Sequence, residues 1–302
     1  MNIGQSESRN INALCSLLGY SRQAYYQYIR AVEKEVLQHD LLIQEVISIR
    51  EQQKRLGTRK LLIKMRGFMS QHGIQIGRDA MFDLIEKNGL LVRRGKRRKP
   101  ITTFSNHWLR KYDNLIIGFI PTGPNQLWVS DITYITLKNS FAYLSLVTDA
   151  FSRKIVGFYL SENLLTEGCI KALKMAIINN TNQSKLIHHS DRGAQYCSNN
   201  YVKMLNKNKV KISMTQSGNP RENSLAERVN GILKVELLLE QYNNFKQAKQ
   251  AIITAISIYN HQRPHSSIDM LTPAEAHLKS GELKKHWKNY YEVKQGKEII
   301  MK

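Results

Sequence analysis

Trp128-Val129-Ser130-Asp131-Ile132-Thr133-Tyr134 is the stretch on which the reading of this chain turns. It sits inside Gln126 to Leu137, a run rich in β-branched and aromatic residues that opens just after Pro124. Both of its faces are largely apolar, so it predicts a buried strand with one carboxylate in the middle. Two more β-rich runs follow, Ser140 to Thr148 and Arg153 to Leu160, and the short turn Asp149 to Ser152 between them reads as a hairpin. Beyond them the period changes. Thr166 to Ile178 is helical, Lys185 to His189 a short strand, Asn199 to Asn206 a helix and Val210 to Met214 a strand. A helix begins near Asn223, and an amphipathic one runs from Phe245 to Tyr259 before the turn-rich His261-Gln262-Arg263-Pro264. The order β-β-β-α-β-α-β-α predicts an α/β fold, a mixed sheet flanked by helices.

The first hundred residues read as short helices. Asn12 to Leu18 is helical, Gly19-Tyr20 turns, and Ser21 caps a second helix carrying Arg22, Tyr25, Tyr26 and Arg30. Thr58 is expected to cap a helix Arg59 to Gln71 that Gly73 ends, and Arg78 to Lys87 forms another, closed by Asn88-Gly89. Helix, tight turn, helix is the shape that lays one helix in a DNA major groove, with small packing bundles as the alternative. Arg93, Arg94, Lys96, Arg97, Arg98 and Lys99 crowd the stretch ahead of Pro100. They read as a linker whose charge tracks a phosphate backbone.

The balance of charge agrees. Lys and Arg total 45 against 24 Asp and Glu, a net charge of +21. That implies a polyanionic partner, nucleic acid first and a membrane surface second. No signal pattern opens the chain, and no apolar run approaches the roughly 18 residues of a spanning helix, so a cytoplasmic protein is expected. Cys15, Cys169 and Cys197 form no CxxC pair, which excludes a disulfide framework and a Cys-rich zinc module. They read as buried fillers, Trp128 as a core residue and Asp149 as a hairpin residue.

Three acidic residues carry the chemistry. A carboxylate at Asp131, inside a buried strand, is costly unless paired, hydrogen-bonded or bound to a cation. Asp191 follows the apolar Leu186-Ile187-His188-His189, in His189-Ser190-Asp191-Arg192-Gly193. Strand ends of this kind are where α/β sheets place reactive groups; an ordinary Asx turn is the alternative. Glu227 lies on the helix after Asn223, where Ala226, Val229, Leu233 and Leu237 form the core stripe. Asn223, Glu227, Asn230 and Lys234 form a second stripe roughly 85° round, or else a solvated face. Three carboxylates without a His/Cys cluster make an oxygen-only site, suited to Mg²⁺ or Mn²⁺ rather than zinc. Such a site can hold two ions about 3.5–4 Å apart at a phosphodiester under in-line attack.

The spacing completes a pattern, with 59 residues between Asp131 and Asp191 and 35 between Asp191 and Glu227. Trp128-x-x-Asp131-Ile132-Thr133-Tyr134, His189-Ser190-Asp191-Arg192-Gly193-x-Gln195-Tyr196, Gly218-Asn219-Pro220-x-x-Asn223-x-x-x-Glu227-x-x-Asn230-Gly231-x-x-Lys234 and Tyr259-Asn260-x-x-Arg263-Pro264-His265 occur in order. Together they resemble the DDE transposases of bacterial insertion sequences, above all the second-frame (OrfB) product of the insertion-sequence-three family. One departure is Arg55-Leu56-Gly57, where the family usually carries an aromatic before the glycine.

The resemblance implies an RNase H-like mixed five-stranded sheet flanked by helices, preceded by an all-helical helix-turn-helix region. It implies Asp131, Asp191 and Glu227 as catalytic metal ligands for two Mg²⁺ or Mn²⁺ ions, with no zinc. The DNA contacts expected are Lys234, Arg228, Asn223, Asn230, Gln195, Tyr196, His189, Arg263, Arg78 and the basic run Arg93 to Lys99. The domains expected are 1–40 and 41–92 (two helical DNA-binding segments), 93–120 (basic linker), 121–278 (integrase core) and 279–302 (basic tail). Double-stranded DNA is the implied partner, as terminal inverted repeats and as target. A homodimer or larger assembly on DNA, near the nucleoid, and an upstream-frame OrfA-type partner or fusion are implied too. A non-catalytic DNA-binding regulator derived from a transposase is the alternative function, and a generic RNase H-type nuclease a third.

Overall fold

No glycine or proline interrupts Arg22 to Gln52, so nothing local stops a helix there. In the computed structural model, which describes residues 11–92, 107–180, 185–216 and 220–286, that stretch is one helix of 31 residues, α2. It runs straight through the boundary expected at residue 40. The chain divides into two compact units, Met1–Glu51 with Gly57–Val92, and Gln52–Leu56 with Arg93–Lys302.

In the first unit α1 (residues 11–17) turns at Gly19, φ +73°, into α2, where Ser21 Oγ accepts the Ala24 N–H at 3.1 Å as the expected cap. The single helix expected over Arg59 to Gln71 is instead two, α3 (Thr58–Lys64) and α4 (Arg66–Gln71). They meet at Met65, whose side chain is fully buried. Thr58 is not the cap: Gly57 holds that position, and Thr58 is buried as the first residue of α3. The helix α5 (Arg78–Lys87) falls where expected and ends at Gly89, φ +66°. Leu42, Val46, Leu61, Met65, Met81 and Ile85 form the buried side of the unit.

The second unit is built on five strands, β1 (Leu127–Thr136), β2 (Phe141–Asp149), β3 (Ile155–Ser161), β4 (Ile187–Ser190) and β5 (Lys211–Met214). Their order is β3-β2-β1-β4-β5. The first three form an antiparallel meander, while β4 lies parallel to both β1 and β5. Alternation along β1 sends Trp128 and Ile132 to one face and Ile135 and Leu137 to the other. Helices α6 (Thr166–Ile178), α7 (Ala194–Cys197) and α8 (Asn199–Lys207) cover the Trp128 face. The opposite face is covered by α9 (Ser224–Ile232), its π-helical continuation Leu233–Leu237 and α10 (Phe245–His261). A capping box at Thr272 and Glu275 starts the short α11 (Pro273–Ala276).

Two turns fix the sheet. Asp149 is fully buried, and its carboxylate accepts the N–H of Asn125 and both the N–H and the hydroxyl of Ser152, each at 2.7 Å. The hairpin residue is thus the knot of the β2–β3 turn. Gly157 on β3 lets α6 approach closely, since a Cβ there would lie 2.1 Å from the Ala172 carbonyl oxygen. Cys15, Cys169 and Cys197 are buried, and Trp128 is a core residue bonded through Nε1 to Asn125 Oδ1 at 3.0 Å. Among the described residues no helix is long and apolar enough to cross a membrane.

Candidate active site

The parallel ladder between β1 and β4 pairs Val129 with His189 as its last rung. Two residues beyond that rung stand Asp131, inside β1, and Asp191, one residue past the end of β4 and near enough for its charge to act on Asp131; alternation puts Asp131 on the Ile135 face of the sheet. That is the face covered by α9. Asp131 Oδ1 accepts the Ile132 N–H at 2.9 Å, and its Oδ2 accepts the side-chain amide of Asn230 at 2.8 Å. Asp191 Oδ1 accepts the Gly193 N–H at 3.0 Å, the Asx-type bond of a tight turn. Both ordinary roles are therefore present, yet among the described residues no guanidinium bonds to Asp131. Burial, then the charge of Asp191, and to a smaller extent that of Glu227, push its carboxyl up to about 7 against the two hydrogen bonds. Two acids so close resist joint ionisation unless a cation joins them.

Glu227 lies in the first turn of α9 and is exposed. Lys234, about two turns further along, is influenced by Asp131, whose charge raises its ammonium against a larger lowering by burial. Among the described residues no three His, Cys, Asp or Glu side chains stand together as a preformed metal cage.

Several hydrogen bonds lock α9 over the two strands. Asn223 donates from Nδ2 to the Ser130 carbonyl of β1 at 3.0 Å, and Asn230 holds Asp131. His189 of β4 is fully buried; its Nε2 donates to the Glu222 carbonyl at 3.1 Å and its Nδ1 accepts the Ser213 hydroxyl at 2.9 Å. Those partners require the neutral ring with its proton on Nε2. Replacing it, His189→Leu, strands a buried carbonyl and hydroxyl. The expected loss is about 2 kcal/mol of folding stability, read as a lower urea midpoint, whereas an unchanged midpoint would show the clamp to be idle.

Several residues expected on DNA are committed to the protein instead. His189, Tyr196, Asn223, Asn230 and Arg263 are all buried. Arg263 grips Glu236 through Nε and Nη2, both at 2.8 Å. Gln195 is half-buried and donates to the Leu164 carbonyl. Arg228 and Lys234 are exposed beside Glu227, and Arg78, in the other unit, is exposed and paired with Asp79 at 2.7 Å. The basic residues Arg93, Arg94, Lys96, Arg97, Arg98 and Lys99 lie outside the described residues.

The sequence reading passed over a buried polar trio, Ser130, His188 and Tyr201. Ser130 Oγ lies 2.7 Å and Tyr201 OH 3.0 Å from His188 Nε2, behind the strand that carries Asp131. Burial drops the His188 imidazole to about 3. The signal was legible: two adjacent histidines in an apolar strand cannot both face one way.

An antiparallel three-strand meander extended by two parallel strands, with helices on both faces, is RNase H-like, the architecture of integrase cores. The integrase core domain family matches residues 121–220, and a second integrase core domain family matches residues 208–273. An insertion element IS600 uncharacterized 31 kDa protein of Shigella sonnei is 35% identical over 86% of this chain and 96% of its own length. A putative transposase for insertion sequence element IS986/IS6110 of Mycobacterium tuberculosis (strain CDC 1551 / Oshkosh) is 31% identical over 72% of this chain and 80% of its own. Transposase InsF for insertion sequence IS3A of Escherichia coli (strain K12) is 26% identical over 88% and 93%. The chain belongs to the insertion-sequence transposases, DDE polynucleotidyl transferases with an integrase core.

Proposed function

We propose that this transposase binds the ends of its DNA element and carries out divalent-metal-dependent cleavage followed by strand transfer, with Asp131, Asp191 and Glu227 as the catalytic carboxylates. The observation that supports this is the bond from Asn230, on the helix that bears Glu227, to Asp131 on β1, with Asp191 following the end of the neighbouring β4. The donor set fits Mg²⁺ or Mn²⁺. It is all oxygen, its charges repel, and the Oδ1 atoms of Asn223 and Asn230 are buried beside it without a protein partner. Acceptors so placed suit the waters that a hydrated Mg²⁺ retains. Bound there, a pair of such ions supplies an activated attacking oxygen and steadies the leaving oxygen.

The protein's own groups do the positioning. Ile132 N–H and Asn230 hold the two oxygens of Asp131, and Gly193 N–H holds one of Asp191. Each carboxylate is thereby fixed in rotamer before DNA arrives, which in-line displacement requires. Arg228 and Lys234, exposed on the same helix, receive the phosphate backbone. The helical first unit and the basic run beyond it read as the end-binding part. Joining two ends calls for at least two copies, and an upstream-frame partner fits the same assembly.

The test uses the full chain and a duplex taken from the DNA flanking its gene. Mg²⁺ is expected to give nicked ends and joined products that EDTA removes. Binding of that duplex without any divalent-dependent cleavage would refute the catalytic reading and leave a DNA-binding regulator.

A further inference from the structure

Ahead of β1 the chain lies along the second unit as a strap with alternating faces. His107, Leu109, Tyr112, Asn114 and Ile116 are half-buried, whereas Trp108, Arg110, Lys111, Leu115 and Ile117 are exposed. The inward set is fastened. His107 Nε2 donates to the Arg192 carbonyl at 2.8 Å, Leu109 and Tyr112 pack on the cluster around Trp128, and the Asp113 carbonyl accepts the Met214 N–H at 3.2 Å. The Leu115 N–H donates to Ser213 Oγ at 2.9 Å. Arg192 directly follows Asp191, so the strap starts at the lip of the carboxylate site.

Trp108 is 89% exposed, higher than any other exposed large apolar side chain. An indole can bury some 150–250 Å², so leaving one in water between two anchored neighbours forgoes a large stabilisation. The strap beside it carries two exposed cations, Arg110 and Lys111, against one exposed acid, Asp113. The Arg110 guanidinium sits 5.1 Å from the centre of the Tyr112 ring, and Lys111, Arg192 and Asp191 all lie within electrostatic reach of the Cys197 thiol. Aromatic faces interleaved with cations are the composition that holds a nucleic acid strand, with phosphates on the charges and bases on the rings.

We infer that Trp108 is a stacking platform for an unpaired nucleobase of the DNA strand whose phosphate reaches the Asp131–Asp191 edge, with Arg110 and Lys111 on the backbone beside it. A base inside a duplex has both faces covered, so only one drawn out of the stack, at an opened end, offers itself. This rests on the DNA-processing reading, but its test needs binding alone.

The probes are a duplex with a short unpaired 3′ tail and the same duplex fully paired, both added to the full chain without divalent cation. The tailed duplex is expected to quench tryptophan emission in the wild type but not in Trp108→Ala or Trp108→Phe. Trp108→Ala should bind the tailed duplex about tenfold more weakly, and Trp108→Phe should restore most of that, with the fully paired duplex unaffected. Trp108 is exposed, so equal thermal midpoints will certify the fold of both variants. Equal affinity of Trp108→Ala for the tailed duplex overturns the inference. So does a blue shift of Trp108 emission with protein concentration alone, which means a second copy covers the ring. Cleavage that survives loss of the carboxylates while quenching persists would sink the catalytic assignment and leave the stacking intact.

Discussion

Asp131→Asn is expected to reduce strand transfer on the order of a thousandfold while leaving end binding unchanged. Loss of one ionic ligand removes several kcal/mol of transition-state stabilisation, and each 1.36 kcal/mol is a factor of ten in rate. Asn preserves the shape and can still accept from Ile132 N–H through its oxygen, so the fold has no reason to suffer. The thermal midpoint should hold or rise, because a carboxyl pushed to about 7 first by burial and then by the charges of Asp191 and Glu227 carries a cost that substitution relieves. That pairing of lost activity with undiminished stability is the mark of a functional acid rather than a structural one. Asp191→Asn and Glu227→Gln are expected to behave alike in a gel assay of joined products. A variant that keeps substantial strand transfer removes its residue from the site.

Gly157→Val should fail to give folded protein at 37 °C. The first atom of any side chain at 157 would stand 2.1 Å from the Ala172 carbonyl oxygen and 2.9 Å from the Ala176 N–H nitrogen. Both are backbone atoms of α6, held by its own hydrogen bonds, so no rotamer change relieves them. Ordinary overpacking of a core costs about 1–3 kcal/mol; here a helix must leave the sheet, taking Leu173 and Ala176 with it. Circular dichroism and the yield of monodisperse protein decide the matter. A folded Gly157→Val with a wild-type midpoint would mean that α6 does not lie against β3.

Much of the second unit was legible because its signals are local. Strands carry period-two or continuous apolar patterns, and all five strand runs fall within two residues of the observed bounds at both ends. The position of Asp131 and Asp191 was legible as type and spacing. Their nearness was not, since it depends on a ladder between segments some sixty residues apart. Motif membership also failed to separate groups that meet solvent from groups that hold the fold. His189, Asn223, Asn230 and Arg263 stand in the quoted motifs, yet each makes at least one side-chain hydrogen bond inside the protein. Nothing in a single sequence distinguishes an amide aimed at a phosphate from one aimed at the Ser130 carbonyl. The break at Met65 was missed for a related reason: Gly67 nearby is tolerated inside a helix, and the buried methionine at the corner shows its packing only in three dimensions.

The shared rung between Val129 and His189 has a corollary for how this enzyme tolerates change. Asp131 and Asp191 are brought near by cross-strand bonding just ahead of them, so the amount of polypeptide looping from one to the other is immaterial to their meeting. Lengthening the connection after α6 shifts nothing at the centre, whereas dropping one residue from within β4 swings Asp191 to the opposite side of the pleat and parts the couple.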